Sequence, residues 1–139
     1  MEINFYTEET TLPDLNYDNI KLWINDVINS YNYKTGIITI IFSSSEYIQN
    51  VNNQFLNHNY PTDIITFDYS KKNIISGDLL ICPEVAFENS KIYSTTNILE
   101  IHRVIIHGIL HLIGFNDLNE NDQIQMKLAE DKALSIIGL

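Results

Sequence analysis

The sequence predicts an α+β fold in which helices cover a small mixed β-sheet. Runs of β-branched residues, typical of strands, lie in the first part of the chain, whereas apolar residues at helical spacing dominate the last part. Two apolar runs in the middle are separated only by Ser-Lys-Lys-Asn, a short polar connection typical of an antiparallel hairpin. Strands that precede a series of helices in this way indicate the α+β class.

Four segments are predicted as strands. Residues 3–6 form a short apolar run at the start of the chain, and residues 37–42 form a β-branched run between Gly36 and a serine cluster. Residues 64–69 and 74–82 are the two strands of the predicted hairpin.

The first two predicted helices follow the first two strands. In residues 17–31 the apolar positions recur at helical spacing, which predicts an amphipathic helix with one face turned inward. Ser43 and Glu46 have the spacing of a capping box and predict the start of the second helix.

Three further helices are predicted in the rest of the chain. Pro83 lies where one would begin, since proline is tolerated in the first helical turn. Residues 97–113 form the longest apolar segment, and Gly114 can end it as a left-handed cap. The last helix covers roughly residues 120–137 after the candidate cap Asn119, and its inner face is predicted to carry Met126, Ala129, Ala133 and Ile136.

Length, charge and cysteine content narrow the classes of protein. The 139 residues predict a single domain over 1–139. A net charge of −10, with Arg103 as the single arginine, argues against a broad phosphate-binding surface. Because Cys82 is the only cysteine, no intramolecular disulfide can form. The chain shows neither a membrane-spanning run nor a signal-peptide pattern, so we expect a cytoplasmic protein with no membrane partner.

A candidate metal site lies in the segment 107–117. His107 and His111 are four residues apart, so on a helix their imidazoles project from the same side. After the turn at Gly114, Asp117 can return a carboxylate to the same point. Two imidazoles and one carboxylate predict a zinc ion, one per chain, whose fourth position is open to water.

The alternative is that these histidines are buried residues bonded to backbone carbonyls, or ordinary surface residues. Two further features favour the metal site: His102 brings three of the four histidines into ten residues, and Gly108 interrupts an otherwise strong helix. We interpret Gly108 as making room beside His107. The same spacing occurs in metzincin proteases, but glycine replaces the glutamate that serves as their general base, which argues against a peptidase.

This segment resembles the motif H-G-x-L-H-L-x-G-Y-D-H of the YbeY family. Residues 61–67, Pro-Thr-Asp-Ile-Ile-Thr-Phe, are similar to that family's P-T-D-V-L-S-F, and residues 77–82, Gly-Asp-Leu-Leu-Ile-Cys, to its G-D-I-V-I-S. The resemblance implies a metal-dependent endoribonuclease that cleaves single-stranded RNA. It also implies a role in maturing the 3′ end of 16S rRNA and in ribosome quality control, with rRNA, the ribosome and ribosome-associated proteins as partners.

The sequence departs from the family pattern at two positions. Asp117 stands where the family has its third histidine ligand, and Leu56 stands where it commonly has an arginine. Arg103, one helical step before His107, is our candidate for the missing RNA contact. We expect it to form a small basic area with Lys71 and Lys72; a surface ion pair with Glu100 is the alternative.

The sequence leaves two questions open. Asp63 and Asp78 could accept a hydrogen bond from a ligand histidine, act as a base, or cap turns. Either a metal-bound water or the RNA 2′-hydroxyl could be the nucleophile. The alternative function is a non-catalytic ribosome-assembly factor with a structural metal.

Overall fold

Four strands form one mixed sheet, and five helices surround it in a computed structural model that describes residues 1–139. The elements in chain order are β1 (Glu2–Glu8), α1 (Tyr17–Ser30), β2 (Lys34–Ser43), α2 (Ser45–Leu56), β3 (Ile64–Asp68), β4 (Ile74–Ile81), α3 (Pro83–Ile92), α4 (Asn97–Ile113) and α5 (Glu120–Ile136). The predicted α+β class is confirmed, and every predicted strand and helix is present within a few residues of its expected bounds.

The sheet has the strand order β1-β2-β4-β3. β1, β2 and β4 run parallel, whereas β3 pairs with β4 in the antiparallel sense, from Ile64 opposite Ile81 to Asp68 opposite Gly77. The predicted hairpin is therefore confirmed, and β3 is an edge strand of the sheet.

The two faces of the sheet carry cores of different size. Alternate residues of a strand point to opposite faces, so Leu79 joins the main core under α1 and α4, whereas Leu80 joins a small cluster under α2. The small cluster also contains Ile48, Ile65 and Cys82.

Helix α4 is the central helix of the fold. Ten of its 17 residues are buried, because it packs against the β3–β4 hairpin on one side and against α1, α3 and α5 on others. His107 and His111 lie on the side of α4 that remains partly exposed. The helix thus holds the candidate site on a rigid, largely buried support.

Gly108 serves a different purpose from the one we predicted. A Cβ atom at this position would lie 2.6 Å from Ile64 Cδ1 and 2.9 Å from Leu79 Cδ2. The glycine therefore lets α4 approach the β3–β4 hairpin closely; the space it provides is taken by the sheet, not left beside His107.

The structure corrects two local predictions, the cap of α2 and one buried residue of α5, and confirms the cap of α5. Ser44, not Ser43, caps α2: its Oγ accepts a hydrogen bond from the Tyr47 N–H at 3.1 Å, because Ser43 still pairs in the sheet. Asn119 caps α5 as predicted. Ile136 is exposed, and Leu134, two residues earlier on α5, is buried instead.

None of the five helices combines the length and apolar composition needed to cross a membrane.

Candidate metal centre

Three side chains converge at the C-terminal end of α4. The Nε2 atoms of His107 and His111 lie 3.0 Å apart, and each is 3.5 Å from Oδ2 of Asp117. The three predicted site residues are therefore brought together in one group.

Each of the two histidines is held through its other ring nitrogen. Nδ1 of His111 lies 3.0 Å from the carbonyl oxygen of Phe115, and Nδ1 of His107 lies 2.6 Å from Oε2 of Glu130. A carbonyl or carboxylate oxygen can only accept a hydrogen bond. Each ring, when neutral, therefore donates its Nδ1–H and keeps a lone pair on Nε2. Two such lone pairs then face each other, an arrangement that attracts a cation.

The spacing of the three atoms fits a tetrahedral ion. Zinc ligands at about 2.0–2.1 Å from the metal are about 3.3 Å from one another in a tetrahedron, close to the observed distances of 3.0 and 3.5 Å. A cavity of about 540 Å³ borders the group and leaves room for a fourth ligand. The donor set of two nitrogens and one carboxylate oxygen is also one that zinc accepts.

Gly114 makes this convergence possible by ending α4. Its φ of 124° is a conformation that favours glycine, and the Phe115 N–H donates back to the Leu110 carbonyl at 3.0 Å. The chain reverses at this point, so the Phe115 carbonyl reaches His111 and the following turn carries Asp117 to the two imidazoles. The predicted role of Gly114 in ending the helix is confirmed.

The site is rich in negative charge. Burial acts to lower the pKa of His107, but the hydrogen bond and charge of Glu130, together with the charges of Asp63 and Asp117, outweigh it and raise this pKa. Burial raises the pKa of Asp63, against the opposing effects of His107 and local hydrogen bonds. Such surroundings favour a positively charged occupant.

Glu130 is the residue that sequence reasoning missed. It lies buried on α5, and its second oxygen, Oε1, accepts a hydrogen bond from Arg103 Nη1 at 2.9 Å. A signal was present: Glu130 interrupts the apolar stripe that Met126 and Ala133 form along α5. A carboxylate in such a stripe requires a buried partner.

Arg103 is paired, but not with the residue considered as its alternative partner. Its guanidinium donates to Glu130 and, at 3.0 Å, to Asp131. Glu100 is buried and accepts from the Thr95 hydroxyl at 2.8 Å, so an Arg103–Glu100 ion pair is not formed. Arg103 nevertheless lines a cavity of about 480 Å³ that also borders His107.

His102, the third histidine of the segment, lies outside the site. Its Nδ1 lies 2.7 Å from the Ile98 carbonyl oxygen, and its ring packs against Trp23 with centroids 5.6 Å apart. For this histidine, the alternative of a buried residue bonded to the backbone is correct.

The two aspartates of the other motifs lie on opposite sides of the sheet. Asp63 lines the 540 Å³ cavity together with the three candidate ligands and Leu56. Asp78 lines a groove between the sheet and α2, beside Tyr47 and Phe55, so it cannot act on a ligand histidine.

The lysine pair does not join Arg103. Lys71 and Lys72 lie in the turn between β3 and β4, at the end of the hairpin opposite Asp63, and neither lines a cavity with Arg103. The small basic area that we expected around these three residues is therefore absent from the site.

Comparison with known proteins gives a consistent family assignment. The family model described as Endoribonuclease YbeY matches residues 3–138. Proteins named Endoribonuclease YbeY from Azobacteroides pseudotrichonymphae and Parabacteroides distasonis are each 44% identical over 137 residues, which is 99% of this chain and 99% and 96% of the relatives. One from Bacteroides fragilis is 45% identical over 136 residues, 98% of each chain.

The fold is also similar to a solved structure. The solution structure of TM1509 from Thermotoga maritima matches with a TM-score of 0.70 over 95% of this chain and 86% of that one. At 24% identity this likeness supports the fold alone.

Proposed function

This chain belongs to the YbeY family, and on that premise we propose that it is a metal-dependent endoribonuclease that cleaves single-stranded RNA. We propose further that residues 1–139 act as one domain, that zinc is the metal, one ion per chain, and that His107, His111 and Asp117 are its ligands. The proposed substrate in the cell is rRNA, at the 3′ end of 16S rRNA, with a role in ribosome quality control in the cytoplasm.

One observation carries the metal part of this proposal. Nδ1 of each imidazole lies within hydrogen-bond distance of an oxygen acceptor, the two Nε2 atoms face each other at 3.0 Å, and a carboxylate oxygen is 3.5 Å from both. In neutral rings that donate through Nδ1, both Nε2 atoms carry lone pairs. Without a cation or proton between them these three atoms repel one another. Zinc suits them in donor type and in spacing.

When bound, zinc would polarise a phosphoryl oxygen or make a bound water more acidic. The chain's own residues then have separate tasks. The hydrogen bonds at Nδ1 hold the two rings, and the cavity beside β3 offers space for the RNA at the open side of the ligands. Water and the RNA 2′-hydroxyl are both candidate nucleophiles.

Arg103 is the proposed contact for an RNA phosphate. It lines the cavity that borders His107 and Asp117, and an arginine has five N–H groups, so its two ion pairs leave donors free. Lys127 is the one lysine that lines the same cavity, and the chain as a whole has a net charge of −10. We therefore expect weak, salt-sensitive binding of free RNA, with the ribosome or a protein partner positioning the substrate.

The test combines metal analysis with an RNA cleavage assay. Untagged protein should contain close to one equivalent of zinc, and it should cut an end-labelled single-stranded RNA internally while leaving a duplex of the same sequence intact. Removal of the metal with a chelator should stop cleavage, and added zinc should restore it. Protein with far less than one equivalent of any metal would contradict the proposal.

A non-catalytic assembly factor remains the alternative function, and two observations favour it. Leu56 lies on the cavity where the family commonly has an arginine, and Arg103 is already paired with two carboxylates. Full metal content without cleavage of any single-stranded RNA, including the 16S 3′ end, would support this alternative over the enzyme.

A further inference from the structure

We infer that Glu130 is a positioning residue for the metal site: it holds the ligand His107 in orientation and tautomer, and Arg103 holds Glu130 in turn. This role rests on the proposed function, since it presupposes that His107 binds a metal. It assigns to α5 a part in a site whose three proposed ligands all lie on α4 and the turn after it.

The contacts leave Glu130 little freedom. Its side chain is only 9% exposed, Oε2 lies 2.6 Å from His107 Nδ1, and Oε1 lies 2.9 Å from Arg103 Nη1. Both carboxylate oxygens are thus engaged by different partners. A buried carboxylate without such partners is costly, so the packing of α5 against α4 favours this one arrangement.

The two ligand histidines obtain their acceptors from different sources. His111 lies in the last turn of α4, where the chain reverses and offers the free carbonyl of Phe115. His107 lies one turn earlier, and its Nδ1 meets Glu130 of α5 at 2.6 Å, whereas Nδ1 of His102 meets a carbonyl of its own helix. The acceptor of His107 therefore comes from another element.

A carboxylate acceptor does more than aim the ring. By taking the Nδ1–H it keeps the proton off Nε2, which is the atom that faces His111 and Asp117. It also makes the imidazole a stronger electron donor to a metal. Loss of the carboxylate should accordingly reduce the affinity for the metal even where the fold is intact.

Glu130→Gln tests this role, with Asp131→Asn as the matched control. Arg103 and His107 contact different oxygens of Glu130, and glutamine replaces one of these oxygens with an NH2 group, which donates and cannot accept. Asp131 is the next residue on the same helix and also pairs with Arg103, but it does not contact His107. Both changes remove one negative charge.

The readout is zinc affinity, measured by competition with a chromophoric chelator. Glu130→Gln should lower this affinity by about 10- to 100-fold, and Asp131→Asn should leave it within about twofold of the parent. Unchanged affinity in Glu130→Gln, or an equal loss in both variants, would overturn the positioning role.

A second measurement uses the parent protein and covers the case in which Glu130→Gln does not fold. In metal-free protein at alkaline pH, the ¹⁵N shifts of the imidazole should identify His107 as the Nδ1–H tautomer. An Nε2–H tautomer at His107 would overturn the inference. A parent that binds no metal would instead overturn the proposed function, so the two failures are distinguishable.

Discussion

The Nε2 atoms of His107 and His111 face each other at 3.0 Å, while Nδ1 of each ring lies within hydrogen-bond distance of an oxygen from a different segment. This arrangement allows both Nε2 atoms to bind the same metal ion. It also separates them from His102, which lies on the same helix but packs against Trp23. Substitutions of His107 or His111 therefore test the metal site, and a substitution of His102 on the same helix serves as the control.

His111→Ala should abolish tight zinc binding while the chain remains folded. Loss of one of three ligands removes much of the coordination energy, and the gap left by the ring costs about 1–3 kcal/mol of folding free energy. Elemental analysis of the purified variant checks the result. His102→Gln should retain the full zinc content; a full equivalent in His111→Ala would show that the proposed ligand set is wrong.

Asp117→Ala should weaken zinc affinity by orders of magnitude, because only the two helix ligands remain. Asp117→His should retain zinc. Replacing the carboxylate changes the centre from a net charge of about +1 to about +2, so bound water should ionise at a lower pH. The alkaline rise of RNA cleavage should shift accordingly, and a chelator titration together with a pH–rate profile measures both effects.

Arg103→Ala should reduce RNA cleavage severely and make RNA binding less dependent on salt. Loss of one phosphate contact lowers the slope of log affinity against log salt by about 0.7 for single-stranded RNA. Asp131→Asn, which keeps the guanidinium and removes one of its partners, should preserve the parent slope. If Arg103→Ala lost zinc affinity but kept the slope, the arginine would act through Glu130 alone.

Leu56→Arg should strengthen RNA binding. Leu56 is half-exposed and lines the cavity of the proposed ligands, so an arginine can be accommodated there without disturbing the core. One added phosphate contact should steepen the salt slope by about 0.7. Leu22→Arg adds the same charge on an exposed part of α1 away from this cavity. An equal gain in both variants would indicate a general charge effect, not a site at Leu56.

Acid should destabilise the protein partly through His102. Burial lowers the pKa of this histidine below its usual 6.5, so the folded state favours the neutral ring. The resulting stability is fully present above about pH 6.5 and is lost as the pH falls through the folded-state pKa. The free energy of unfolding of metal-free protein, followed by Trp23 fluorescence, should therefore fall more between pH 7 and 5 than that of His102→Gln. Parallel curves would contradict this assignment.

Much of the fold and part of the site were predictable because they depend on local patterns. The period of the apolar residues identified α4 and α5, and the i, i+4 spacing placed His107 and His111 on one side of a helix. The glycine at 114 indicated the chain reversal that brings Asp117 to them. These features depend on residues within a few helical turns of one another.

Other features depended on contacts between distant segments. Whether Gly108 served the metal or the sheet depended on Ile64 and Leu79, which α4 meets only in the folded chain.

The sequence by itself determined the class of fold, the order of its elements and the three residues of the candidate metal centre, since backbone geometry relates residues close in the chain. Only the tertiary structure decided what holds that centre. Glu130 lies 23 residues from His107 and reaches it because α5 packs against α4, and the same packing pairs Arg103 with two carboxylates. Sequence spacing cannot specify such partners, because a buried charge takes whichever counter-charge the packing of the helices brings within reach.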